Sequence, residues 1–230
     1  EAGFSMDTAS QNLMIGNNAG RFNLVSENVF IGHQSGNANT TGRKNTFIGF
    51  RTGDVNSTAG NNTFIGYQSG GANTLGTGNT YVGSLSGFIN TTGNSNTFVG
   101  DSSGYFNLSG GNNTFIGRSA GQANTSGTSN TFVGRGAGDA NTTANGNTFV
   151  GATAGTSTIT GASNTFVGNA AGDVNTASNN VFIGADAGGA NTSGTSNTFV
   201  GTSAGLVNVT GTSNTFIGKG AGDANTASDN

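Results

Sequence analysis

The stretch Asn197–Ser213, NTFVGTSAGLVNVTGTS, is one unit of a pattern that runs through the chain: Asn-Thr-Phe-Val/Ile-Gly, two variable residues, a small residue and Gly, then two variable residues and Asn-Thr-Ser/Thr-Gly. Its first Asn recurs at Asn12, Asn28, Asn45, Asn62, Asn79, Asn96, Asn113, Asn130, Asn147, Asn164, Asn180, Asn197 and Asn214, and Asn230 opens a further unit. The spacing is 17 residues, with three units of 16. A fixed period of this length is the signature of a repeat architecture, so it decides the fold before any local reading does. The expected organisation is a single array over residues 1–230: a partial coil at 1–11, thirteen coils at 12–229, and the start of another at 230.

A unit this short has no room for a pair of helices, and its Gly, Asn and Thr, with aromatic and β-branched residues between them, disfavour a helix. We therefore expect an all-β parallel β-solenoid, or β-roll, in which each unit closes one coil of two or three short strands broken at Gly. Backbone groups would pair with the coils above and below. Stacked at about 4.8 Å per coil, the array would be a rod roughly 60 Å long. Gly holds the fifth place of all thirteen units (Gly16 to Gly218) and the ninth place of all thirteen (Gly20 to Gly222), as corners require.

Each column then has a role. The third place carries Phe30, Phe47, Phe64, Tyr81, Phe98, Phe115, Phe132, Phe149, Phe166, Phe182, Phe199 and Phe216, with Met14 in the first unit. This is expected to be an internal ladder of stacked rings and the main apolar contribution to stability, about 1.5–3 kcal/mol per buried ring. The eighth place supplies small residues for a narrow lumen (Ala120, Ala137, Ala154, Ala171, Ala187, Ala204 and Ala221, and Ser or Thr in several earlier units), and the mostly small or apolar eleventh place is expected to point inward too. Asn28, Asn45, Asn62, Asn79, Asn96, Asn113, Asn130, Asn147, Asn164, Asn180, Asn197 and Asn214 form one Asn column. A second runs from Asn23 to Asn225 and breaks at Thr158. Both read as amide ladders, each side chain bonding its equivalent one coil away or capping a corner.

The fourth place is always Ile or Val: after Ile15 come Ile31, Ile48, Ile65, Val82, Val99, Ile116, Val133, Val150, Val167, Ile183, Val200 and Ile217. Alternation along a strand puts this column outside if Phe is inside. A continuous apolar stripe is more than a monomer surface usually carries. Either the strand bends at the following Gly so that both columns face inward, or another chain covers the stripe; we expect the second, with closed symmetry hiding it in a homotrimer.

The N-T-F-V-G-x-x-A-G run resembles the head repeats of trimeric autotransporter adhesins. The longer pattern is similar to the Asn-Thr-Phe-Ile/Val-Gly arrays of phage tail-fibre-like and bacterial surface proteins, over nearly all of 1–230. The resemblance implies a left-handed parallel β-roll, trimeric assembly and a role in extending an attachment surface at the cell surface or on a virion fibre. The chain begins in mid-coil and ends on the first residue of a unit. A piece of a longer array is one expectation from this, and head-to-tail stacking into a filament is the other.

Composition narrows function further. Seven Lys and Arg against ten Asp and Glu, a formal net charge of −3, supply no basic stripe for nucleic acid. No apolar run spans a bilayer and no signal-peptide pattern is present; the lack of Cys fits a secreted bacterial or viral protein. No cofactor is expected, and no catalytic constellation is seen, so the chain is read as a non-enzyme. His33 follows a corner and reads as a surface residue. Asp54, Asp139, Asp173 and Asp223 share the tenth place but skip units, so they read as solvated charges rather than a Ca²⁺ ladder. The Gly134–Gly138 run, GRGAG, is a solenoid corner rather than a phosphate cradle. Glycosylation sequons occur at Asn39, Asn90, Asn107, Asn124, Asn191 and Asn208. The expected function is an extracellular structural fibre or adhesin segment whose partners are copies of itself and a surface or glycan receptor. A phage tail-fibre shaft is one alternative. Another is an ice-binding solenoid using the file Thr46, Thr63, Thr80, Thr97, Thr114, Thr131, Thr148, Thr165, Thr198 and Thr215. A polysaccharide-degrading β-helix would need charged residues clustered on one face, and the sequence has none.

Overall fold

The computed structural model describes residues 1–4, 10–225 and 227–229; Asn230, read above as the start of a further coil, and residues 5–9 of the expected partial coil lie outside them. The fold is an all-β parallel β-solenoid. The chain divides into two compact units, Glu1–Asn113 and Thr114–Asn230. The first holds β1 (Leu13–Ile15), β2 (Val29–Ile31), β3 (Thr46–Ile48), β4 (Thr63–Ile65), β5 (Thr80–Val82) and β6 (Thr97–Val99). The second holds β7 (Thr114–Ile116), β8 (Thr131–Val133), β9 (Thr148–Val150), β10 (Thr165–Val167), β11 (Val181–Ile183), β12 (Thr198–Val200) and β13 (Thr215–Ile217).

Within each unit every strand pairs in parallel with the next in sequence, third place against third place: Phe47 opposite Phe64 in the first, Phe132 opposite Phe149 in the second. There is one strand per coil, three residues long, where the pattern alone predicts two or three. The remainder is a chain of turns, because four residues of each coil are left-handed or otherwise positive in φ. The seventh place (Arg51, φ 50°; Leu85, 55°; Ala170, 51°) and the last place (Lys44, 59°; Ser95, 57°; Ser163, 58°) join the two Gly corners in this.

The turns still hydrogen-bond from coil to coil. Thr46 N–H donates to the Asn62 carbonyl at 2.8 Å, Gly53 N–H to Ser69 at 3.1 Å and Ala72 N–H to Phe88 at 2.9 Å. This is how an almost strandless coil satisfies its backbone. The fifth-place Gly has a second reason to lack a side chain: a Cβ on Gly16 would stand 2.6 Å from the Gly32 carbonyl oxygen, in the coil stacked against it. The ninth-place Gly lies under the ring of its own coil, where a Cβ on Gly70 would be 2.5 Å from Phe64.

The lumen is filled by Phe, small residues and Asn. Rings stack at centroid distances of 4.7–5.1 Å from Phe30 to Phe98 in the first unit and 4.8–5.0 Å from Phe115 to Phe216 in the second. Tyr81 sits in the ladder with its hydroxyl beside Asn90 and Asn96 but in hydrogen-bond geometry with neither, and burial drives its phenol well above the ordinary range. Where the eighth place is Ser, its hydroxyl donates to the third-place carbonyl one coil on, as Ser35 does to Phe47 at 2.9 Å.

The two Asn columns interlock. Asn45 Oδ1 accepts the backbone N–H of Asn62 at 3.0 Å, while Asn45 Nδ2 donates to the Ala59 carbonyl at 2.9 Å. Asn56 Nδ2 donates to Asn39 Oδ1 at 3.0 Å and to the same Ala59 carbonyl at 3.0 Å. One carbonyl at the fifteenth place therefore takes both amides of its coil. In the 16-residue unit at Asn164, Asn164 and Asn175 converge on the Ala177 carbonyl, 13 and 2 residues away instead of 14 and 3. The missing residue thus falls in the turn after the second Asn, and the convergence point is kept.

Candidate functional site

With Phe inside, strand alternation turns the second and fourth places outward together. The Ile/Val file is half-buried to exposed along both units, with Ile116 and Ile183 each 39% exposed. The bend that would have taken both Phe and Ile/Val inward does not occur. The Thr file lies on the same face, half-buried beside it, as in β3 and β8.

The eleventh place is a correction: it points outward. Val55 is 42% exposed and Val207 also 42%, and Ala38, Ala72, Ile89, Ala123, Ala140 and Ala190 are half-buried. The cause is the left-handed Gly at the ninth place. It closes a tight turn in which Asn39 N–H bonds the Gly36 carbonyl at 3.1 Å; this swings the tenth and eleventh residues out and brings the twelfth, Asn, in.

The outer turn formed by the sixth to eleventh places differs between the units. The seven Phe and Tyr residues outside the ladder all precede residue 107. His33, exposed as expected, stacks on Phe50 at 5.3 Å, and Phe50 on Tyr67 at 5.5 Å. Phe88 meets Tyr105 at 5.4 Å, and Tyr105 meets Phe106 edge-on at 4.6 Å. Between these groups lies a notch of about 230 Å³ lined by Arg51, Asp54, Val55, Gln68, Gly71, Ala72 and Phe88.

Asp54 is not the solvated charge that its column suggests. It is 8% exposed, and its Oδ2 accepts from Arg51 Nε at 2.9 Å and Nη2 at 2.7 Å. Asp139, in the same column, is held above its ordinary carboxyl value by partial burial. The notch was hidden in the sequence because the tenth place has no consensus; its signal was the run Asp54, Gly71, Phe88 in successive units. The sequon residues Asn39, Asn90, Asn107, Asn124, Asn191 and Asn208 are fully buried, so the folded coil withholds those amides from a glycosylating enzyme.

Among the described residues no group of three or more His, Cys, Asp or Glu is placed to hold a metal ion, and no helix is long and apolar enough to cross a membrane. Comparison of the chain with protein-family models, with curated proteins and with solved structures finds no match.

Proposed function

We propose that this chain is a non-catalytic segment of an extracellular fibre or adhesin, on a cell surface or a virion, which rigidly extends an attachment surface and assembles with copies of itself. The observation that carries the reading is the outward Ile/Val file. It repeats on consecutive coils of each unit at a position that the backbone ladder fixes, and apolar files of that regularity gain most by being covered. Three copies about an axis parallel to the solenoid axis would cover it on every chain. Rigid display of many equal surfaces then lets weak contacts add through multivalency.

The test is the solution mass by light scattering, with electron microscopy of the same sample. A mass of three chains supports the trimer and long threads support the filament, whereas a monomer by both overturns assembly through the file. A second reading, ice binding, draws on the Thr file projecting beside Ile/Val on one face. Thermal hysteresis at high protein concentration supports it, and its absence removes it.

A further inference from the structure

The geometry points to the notch over Gly71 as a binding site for one pyranose ring of a surface polysaccharide, an inference that rests on the attachment role proposed above and supplies its ligand class. Three successive coils place Asp54, Gly71 and Phe88 in one column. Gly71 contributes no side chain, and the Phe88 ring leans into the space, with Cε2 2.8 Å from where a Gly71 Cβ would stand. The resulting volume, about 230 Å³, is below the roughly 300–1,000 Å³ of pockets for drug-sized ligands. It takes a single ring.

The walls match a sugar in chemistry. Phe88 offers its apolar ring to the C–H face of a pyranose, as aromatic rings do at recognition sites, and Val55, in the coil of Asp54, adds a second apolar surface to the lining. Three planar polar groups line the same notch. Asp54 has both Arg51 hydrogen bonds on Oδ2 and none on Oδ1, the outer edge of the Arg51 guanidinium keeps donors to spare, and the Gln68 amide offers both a donor and an acceptor. Asp54 Oδ1 can accept from a hydroxyl, while the guanidinium edge and the amide can each engage two neighbouring hydroxyls at once. Arg51 and Asp54 also cancel in charge, which favours a neutral polyol over a phosphate or a carboxylate.

The second unit contains an internal control. Asp173, Gly189 and Leu206 repeat the column with an aliphatic residue for Phe88, and Ala170 and Asp186 stand where Arg51 and Gln68 do. That site lacks the ring, the guanidinium and the amide together.

The experiment titrates the ¹⁵N-labelled 230-residue chain with the methyl pyranosides of glucose, galactose and mannose and follows amide shifts. The expected result is saturable shifts at Asp54, Gln68, Gly71 and Ala72 with at least one sugar, at a millimolar Kd, and none at Asp173 or Gly189. Phe88→Ala should weaken binding at least tenfold. Gly71→Leu should abolish it, with spectral changes confined to the notch and the Phe88 and Tyr105 rings that must move aside, since the same column carries Leu206. No saturable shift with any of the three up to about 100 mM, or binding that survives Gly71→Leu, overturns the site. The mass of the same sample separates the two ideas: a trimer or filament that ignores the sugars removes the notch and leaves the fibre, while a monomer that binds them keeps the notch and removes the self-assembly.

Discussion

Asn141 and Thr158 hold the same place in successive coils of the second unit, and neither the amide oxygen and nitrogen of Asn141 nor the hydroxyl of Thr158 has a hydrogen-bond partner. All three atoms are buried. In the neighbouring geometry of Asn191, Nδ2 reaches back to Asn175 Oδ1 at 2.6 Å and across to the Gly194 carbonyl at 2.9 Å; Thr158 has no amide with which to do either. Thr158→Asn should restore the ladder and stabilise the protein by about 2 kcal/mol, the scale of an unsatisfied buried polar group. Chemical denaturation followed by circular dichroism reads this directly. An unchanged or lower midpoint would show that the ladder contributes nothing net at this step.

Backbone conformation predicts opposite effects for substitutions at the seventh and the fifth place. Ala170 occupies the left-handed seventh place at φ 51°, where Gly136 (63°) and Gly220 (65°) already stand in other coils. Left-handed geometry costs a residue with a Cβ about 1–2 kcal/mol, against about 0.5–1 kcal/mol for the extra freedom of Gly when unfolded. Ala170→Gly should therefore be neutral to stabilising, by up to about 1 kcal/mol. Gly151→Ala puts its Cβ onto the Gly168 carbonyl at a φ of 143°, and both coils must part to admit it. Loss of the cooperative transition, or a fall of several kcal/mol, is expected there. A tolerated Gly151→Ala would mean that coil spacing adjusts more freely than its hydrogen bonds suggest.

The columns that were legible in the sequence are those in which a single residue type is demanded in nearly every coil. Phe at the third place, Gly at the fifth and ninth and Asn at the first and twelfth each face the lumen or a close backbone contact, so the copies repeat one physical requirement with few exceptions (Met14, Tyr81 and Thr158). The left-handed seventh and last places were illegible because Arg51, Leu85, Lys44 and Ser95 adopt them without the Gly that usually marks such a turn. That gap explains the overestimated strand count. The seventh- and last-place turns reduce each coil to one strand; the ninth-place Gly was legible as a corner, but not the direction of its turn, which swings Val55 and Val207 outward. The notch at Gly71 escaped for a different reason: it depends on a departure from the pattern, and a consensus erases departures.

Tyr81 gives a pH test. Its hydroxyl is buried without a hydrogen bond, and burial raises the folded-state pKa above the ordinary phenol value of 10.0. Once the pH passes that value the unfolded chain loses the proton while the folded chain keeps it, so the folded state binds more protons and stability falls with rising pH. The slope is at most about 1.4 kcal/mol per pH unit for this one group. Tyr81→Phe should remove that component of the alkaline loss and stabilise the protein at neutral pH by about 1 kcal/mol, because the orphaned hydroxyl disappears while the stacking with Phe64 and Phe98 remains. Paired denaturation curves at neutral pH and above pH 10 decide it: equal alkaline losses in both proteins would mean that Tyr81 is not the group responsible.

The outward file is tested by charge. Ile65 and Val133 are half-buried fourth-place residues, one in each unit, and a Lys at either can lay its stem along the neighbouring Ile or Val with its ammonium in water. The isolated fold should therefore accept Ile65→Lys with Val133→Lys, leaving the circular dichroism unchanged. An interface that closes over the file has no such exit for the ammonium. An unpaired buried charge costs about 3 kcal/mol or more per copy, enough to dissociate a trimer of ordinary affinity. Val207→Lys is the matching control, since Val207 is outward, 42% exposed and on the turn rather than the strand face. Light scattering should give one chain for the double variant and the parental mass for Val207→Lys. Equal masses for all three proteins would place the self-contact elsewhere, and a Val207→Lys monomer would move it to the turn.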